Sequence, residues 1–221
     1  MLADRRGFAI ILVTLTLVAT ITLDPPSALA SDAGAFVLPD EGEVLRYQRV
    51  IGELEHPDPG PEVVLYADGR LQVRRPVYQT KAGLWQTRLD LAEMRALLED
   101  VVANGLVDID VQELRQRKAT IQRQRAEAAR RTGTSPTLYA IGDPDRSVLT
   151  LTLAAYSPPG DLSSPMTGPI TRSWEWMDLY GDAGRFPEIR ELAAFHRLEL
   201  KMIEFIDSDS FERVPVEEVA P

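Results

Sequence analysis

The sequence predicts an α+β fold: an antiparallel sheet built from two β-hairpins plus an extra strand, with helices packed on one face. Three observations carry this. Glu62–Tyr66 and Leu71–Arg74 are period-two segments joined by Ala67-Asp68-Gly69-Arg70, a hairpin signature. Asp90-Leu91-Ala92-Glu93 opens a helix whose apolar residues recur every three or four positions. The elements then run strand, hairpin, helix, helix, hairpin, helix, an order that suits hairpins in one sheet with helices between them.

Residues 1–30 precede the domain. Arg5-Arg6 is followed by an apolar run from Phe8 to Leu23, then by Asp24-Pro25-Pro26 and by Ala28-Leu29-Ala30 before Ser31. A basic start, an apolar middle and a small-x-small end predict a signal peptide cut between Ala30 and Ser31. At ~1.5 Å per residue the run spans ~24 Å, short of the ~30 Å hydrocarbon core. A retained membrane anchor is the runner-up. Asp4-Arg5-Arg6-Gly7-Phe8-Ala9 is also similar to the twin-arginine address, and the general and twin-arginine routes stay open. The expected location is the periplasm or the extracellular space. No cysteine follows the cleavage site to carry a lipid, so the cleaved product has no stable membrane anchor.

The rest of the chain is acidic. Asp4 and Asp24 balance Arg5 and Arg6, so residues 31–221 keep the whole net charge of −10. That charge favours solubility and disfavours nucleic acid, whose phosphates must be neutralised by Lys and Arg. With no cysteine in the chain, disulfides, thiolate metal sites and thiol nucleophiles are excluded.

Residues 31–43 read as a flexible lead-in and Val44–Ile51 as the extra strand. His56-Pro57-Asp58-Pro59-Gly60-Pro61 is a loop, because proline withholds a donor and bars a helix. The first hairpin follows, with Gly69 supplying a positive φ at its turn. The first helix carries Leu91, Met94, Leu97, Leu98, Val101 and Val102 and ends at Asn104-Gly105. A second helix over 111–131 has a thin apolar face of Val111, Leu114 and Ile121. Seven basic residues, among them Arg115 and Arg123, oppose Glu113 and Glu127 and give it a charge of +5. Thr137–Ile141 and Ser147–Leu153 read as the second hairpin, and 157–169, with four prolines, as a loop. Pro187–Ile206 is the third helix, and 207–221 an acidic, loose tail. The domain is thus 44–206.

The segments Pro61–Arg70, Leu89–Leu98 and Ala103-Asn104-Gly105-Leu106 together resemble a pattern in uncharacterised secreted bacterial proteins. There a strand ending Leu-Tyr-x-Asp-Gly-Arg leads to a helix and an Ala-x-Gly-Leu exit. The resemblance covers about a third of the chain after residue 30 and implies a fold, not a reaction.

Motifs for catalysis are weak. Of the two histidines, His56 lies in the proline-rich loop and His196 near the edge of the third helix's apolar stripe. Neither has a second histidine at i+4 for zinc, and neither has an identifiable orienting carboxylate. Ser157, Ser163, Ser164 and Ser173 sit in no Gly-x-Ser-x-Gly or Ser-x-x-Lys motif. Asp178–Gly184 and Asp207–Ser210 lack the closing glutamate of a calcium loop and read as turns. No catalytic, cofactor-binding or metal-ligating residue is assigned, and no cofactor is expected. The candidates for partner contact are Arg115 and Arg123 on the basic helix, with Trp174, Trp176 and Tyr180. Buried, the aromatic residues close the core; exposed, they bind. The expected function is a non-enzymatic extracytoplasmic binding module with an envelope component or protein as partner. The alternative is an exported hydrolase with a carboxylate-based site.

Overall fold

A computed structural model describes residues 35–52, 60–134, 144–158 and 166–215. The chain divides into two units at Ala30–Ser31, and the described residues all belong to the second. Among the described residues the strands are β1 (Ala35–Val37), β2 (Glu43–Val50), β3 (Glu62–Tyr66), β4 (Arg70–Arg75), β5 (Gly83–Arg88), β6 (Arg146–Ser157), β7 (Met166–Met177) and β8 (Glu212–Arg213). The helices are α1 (Leu91–Ala103), α2 (Val111–Arg131), α3 (Leu179–Arg185) and α4 (Arg190–Asp207), with a single 3-10 turn at Leu106–Asp108. The fold is α+β, with helices packed on an antiparallel sheet.

β6 is the spine of the sheet. β7 runs along one side of it from Arg146 to Tyr156, while β2 and β1 lie end to end along the other. From β2 the sheet continues through β3, β4 and β5 to β8. Side chains alternate across a strand, so register sets the buried rows. One row reads Trp174, Leu149, Tyr47, Val63, Val73, Trp85, and the next Arg172, Leu151, Leu45, Leu65, Leu71, Thr87. These rows face the helices. The opposite face carries Thr150 beside Ser173, Thr152 beside Thr171, and Arg46 bonded to Glu43 and Glu62.

The local chemistry follows the sequence closely in places. Gly69 takes φ +83° at the β3–β4 turn, and a Cβ there would stand 2.5 Å from the carbonyl oxygen of Leu89. Asp90 accepts from the Glu93 N–H and Glu93 from the Asp90 N–H, a complete capping box for α1. α2 begins and ends where its pattern predicts, capped by Asp110.

Several expectations are corrected. Leu91 is 60% exposed; the buried face of α1 is Met94, Leu98, Val101 and Val102. The lead-in contributes β1, which pairs with the far end of β6. The second hairpin is β6–β7, because β6 runs on to Ser157 and β7 starts at Met166 inside the expected loop. Thr137–Ile141 and residues 56–59 of the expected 56–61 loop, His56 included, lie outside the described residues. Pro169 is tolerated in β7 because, among the described residues, that strand pairs on one side only. Asp178–Gly184 forms a helix, not a turn, and α4 starts at Arg190 rather than Pro187. The tail is held as far as Val214, with Phe211 and Val214 buried and the Val214 N–H bonded to the Leu84 carbonyl. Arg75, buried on the inner face, donates to the carbonyls of Ile206 (2.7 Å) and Ser208 and closes the C-terminus of α4.

Candidate functional site

The five candidate contact residues separate into buried and outward groups. Trp174 and Trp176 point inward from β7 and are buried, so neither ring is open to a partner. Each indole N–H has an acceptor: the Ile109 carbonyl at 3.4 Å for Trp174 and the Asp182 carboxylate at 2.9 Å for Trp176. Tyr180 is 77% exposed and lies edge-on to the His196 ring at 5.4 Å between centroids. Arg123 is exposed. Arg115 is exposed and donates to the Glu175 carbonyl at 3.1 Å. Ala30 and Ser31 lie outside the described residues.

Much of the basic face of α2 is used within the molecule. Arg117 pairs with Glu191 at 2.5 Å, Arg125 with Glu188 at 2.7 Å, and Lys118 with Asp182. Asp182 is buried, and it also accepts from Trp176 and from Arg185 (2.7 Å). Arg185 in turn bonds Asp178, whose φ of +54° is the only positive value at a described non-glycine residue. Asp178 caps α3 by accepting from the Gly181 N–H, and a Cβ on Gly181 would meet that carboxylate at 2.4 Å. The oxygens of this acidic segment are therefore committed to cations and donors of the chain itself. Among the described residues, no group of three or more His, Asp or Glu residues is placed to hold a metal ion.

A second buried carboxylate, Glu199, was not anticipated. It projects from α4 into the core and accepts from the hydroxyls of Tyr47 (2.9 Å) and Ser147. Its other oxygen is 3.0 Å from Nδ1 of His196. Burial, then the charge of Glu199, hold the Tyr47 hydroxyl well above the usual tyrosine range. The orienting carboxylate that the sequence did not reveal for His196 is thus Glu199, one turn along the same helix. Its position on the stripe of Leu192, Phe195, Leu198 and Met202 is the signal that finds it: an acid among buried positions needs partners.

Among the described residues, a groove of about 670 Å³ between two helices has room for a ligand. One wall is the 3-10 turn and the start of α2, with Asp108, Asp110 and Glu113; the other is the first half of α4, with Arg190, Glu191 and Arg197. Small residues, Gly105, Pro187, Ala193 and Ala194, give it depth. The Arg117–Glu191 pair joins the walls, and Arg197 donates to Asn104 Oδ1 at 2.6 Å. Burial pushes the Glu191 carboxyl up, but the Arg117 guanidinium, a backbone N–H and Arg190 reverse this and hold it below the ordinary range. The Arg117 guanidinium is correspondingly held above its usual value, chiefly by its bond to Glu191. The second oxygen of Glu191 is buried with no hydrogen-bond partner among the described residues. His196 does not line this groove.

No family model, no curated protein and no solved structure matches this chain. No helix of the described residues is long and apolar enough to cross a membrane.

Proposed function

We propose that residues 1–30 direct export and that the domain which follows is a non-enzymatic binding module outside the cytoplasm. Its contact surface is the charged groove between α2 and α4. The observation that carries this is the way the groove is built. Charges of both signs line a concavity whose walls are joined by Arg117–Glu191, so the polar groups are set in place before a ligand arrives. Export rests on the order of basic start, apolar run and Ala-x-Ala before Ser31, and on the resemblance of the β3–β4 hairpin and α1 to secreted proteins.

Two measurements test this. N-terminal sequencing of the protein recovered from the periplasm or medium is expected to start at Ser31; a start at Met1 in the membrane fraction overturns export with cleavage. A photo-crosslinking residue at position 113, beside the groove, is expected to give a discrete adduct in cells that Arg190→Glu abolishes. The same residue at position 72, on the opposite face of the sheet, is expected to give none. Equal labelling at both positions, or none at 113, overturns the groove as the contact surface.

The exported hydrolase is the second reading, favoured by the His196–Glu199 pair. A carboxylate on Nδ1 fixes an imidazole as a general base requires. Turnover of an ester or glycoside panel that His196→Ala eliminates would establish it.

A further inference from the structure

Asn104 is the only asparagine in the chain, and Gly105 follows it. An Asn-Gly step is chemically labile, because glycine has no side chain to shield its nitrogen or restrict its backbone. The Gly105 nitrogen attacks Cγ of Asn104 as its proton passes to hydroxide. A C–N bond forms, the bond from Cγ to Nδ2 breaks, and Nδ2 takes a proton and leaves as ammonia. Water then opens the five-membered imide at either carbonyl, which gives aspartate or isoaspartate. The step sits where α1 ends, and the fold holds it away from this reaction in three ways. Asn104 has φ −83° and ψ 5°. Ring closure needs Cβ and the Gly105 nitrogen nearly eclipsed about the Asn104 Cα–C bond, which tetrahedral geometry puts roughly 120° from a ψ near zero. The Gly105 N–H, which must lose its proton, donates to the Val102 carbonyl at 2.9 Å, with Gly105 in the left-handed region at φ +69°. The side-chain amide is fixed at both polar atoms. Its Nδ2 donates to the carbonyl (2.7 Å) and the carboxylate (2.9 Å) of Asp100, and its Oδ1 accepts from Arg197 of α4 at 2.6 Å.

We infer that Asn104–Gly105 is a spontaneous deamidation site that the native fold keeps closed, and that it reacts only when the end of α1 opens, with Arg197 as the latch from α4. This holds whatever the groove binds. Helix ends open locally at a lower free energy than the whole domain, so the gate is a local one. Leu106 and Val107, buried just beyond the step, hold the turn down from one side. Arg197 is exposed, so its bond is the part of the hold that can be removed without disturbing the core. Deamidation also alters the groove, because Asn104 lines it. An aspartate there loses both donations to Asp100 and sets a second carboxylate beside it. Isoaspartate in addition lengthens the main chain by a methylene where α1 must stop.

The test incubates the whole protein in mildly alkaline buffer, folded and in concentrated urea. Ammonia release, and the aspartate and isoaspartate forms of the tryptic peptide 96–115, report the rate. The folded protein is expected to react at least about tenfold more slowly than the chain in urea. Equal rates in the two states overturn the inference, as does an absence of isoaspartate in urea. Gly105→Ala, measured in urea so that its effect on folding is irrelevant, is expected to slow the reaction about tenfold. An unchanged rate there means that the nitrogen of residue 105 is not the attacking group, and overturns the chemistry. Arg197→Gln, measured folded, is expected to react about threefold faster than the parent at an unchanged thermal midpoint. Lys201→Gln, which removes an exposed pair with Glu204 one turn further along α4, is expected to react at the parent's rate. No acceleration in Arg197→Gln, or equal acceleration in both variants, overturns the latch.

Discussion

Glu199 places a carboxylate on the apolar stripe of α4, and two neutral hydroxyls and a histidine surround it. Truncating it leaves the Tyr47 and Ser147 hydroxyls buried without their acceptor, each at the cost of desolvating an unpaired polar group. Glu199→Ala is therefore expected to lower stability by about 2–4 kcal/mol in urea titrations followed by tryptophan fluorescence. A loss under about 0.5 kcal/mol would mean that these hydroxyls have other partners. The tyrosines make a second, pH-dependent test. Burial, with Glu199 beside Tyr47 and Asp108 bonded to Tyr156, holds both phenols above the ordinary value of about 10. The folded state then binds more protons than the unfolded chain above pH ~10, so stability falls as pH rises through that value. Ionisation followed near 295 nm should show Tyr47→Phe and Tyr156→Phe removing signal only from the unfolding step. Residues of this kind are partly legible in sequence. Glu199 is conspicuous by its position on a buried stripe, whereas Ser147 and Tyr47 become its neighbours only through the pairing of β6 with β2.

Among the elements, α2 and α3 show how a helix with little apolar surface is kept in place. Leu114 is the one buried residue of α2, so its charged side chains do much of the attachment. The critical contact is Asp182, which receives Lys118 from α2, Trp176 from β7 and Arg185 from its own helix. Asp182→Asn keeps the shape but leaves two cations facing each other without the buried anion. A destabilisation of about 3 kcal/mol is expected, with altered Trp176 emission; Glu188→Gln, which removes a solvent-screened exposed pair, should leave the urea midpoint unchanged. Elements with a strong period were legible: α1, α2, α4, β2 and the β3–β4 hairpin. Those the sequence concealed have physical reasons for being concealed. α3 contains Gly181 and Gly184, poor helix formers, and exists through the Asp178 cap and the Asp182 ion pairs. β5 shows no alternation, because nearly all its side chains are half-buried. β7 contains Pro169, which argues for a loop unless the strand is known to lie at an edge.

For the whole molecule, the class was legible and the strand order was not. Period-two and 3.6-residue patterns report which residues face inward, and they gave helices on one face of an antiparallel sheet. They carry no information about which strand becomes the spine. The joining of β1 and β2 along a single side of β6 depends on contacts about 100 residues or more apart in sequence. The groove was hidden for the same reason, since its walls are α2 and α4 and its charges read in sequence as ordinary solvated faces. Of the contact candidates, Trp174 and Trp176 belong to the core, and Arg123 and Tyr180 remain outward.

The outer margin of β7 has a consequence for how the protein behaves in a crowded solution. Twelve residues of strand end there without a neighbouring strand among the described residues, and an unpaired margin invites a second molecule to add on. Asp178 N–H points to Asp145, so by alternation the groups of Glu175, Ser173 and Thr171 point away from β6. Along that margin Arg115 already occupies the Glu175 carbonyl, and Pro169 has no N–H to offer. Together they act as gatekeepers against self-assembly. The double variant Arg115→Ala, Pro169→Val should fold, yet form concentration-dependent oligomers in sedimentation experiments where the parent stays a single species.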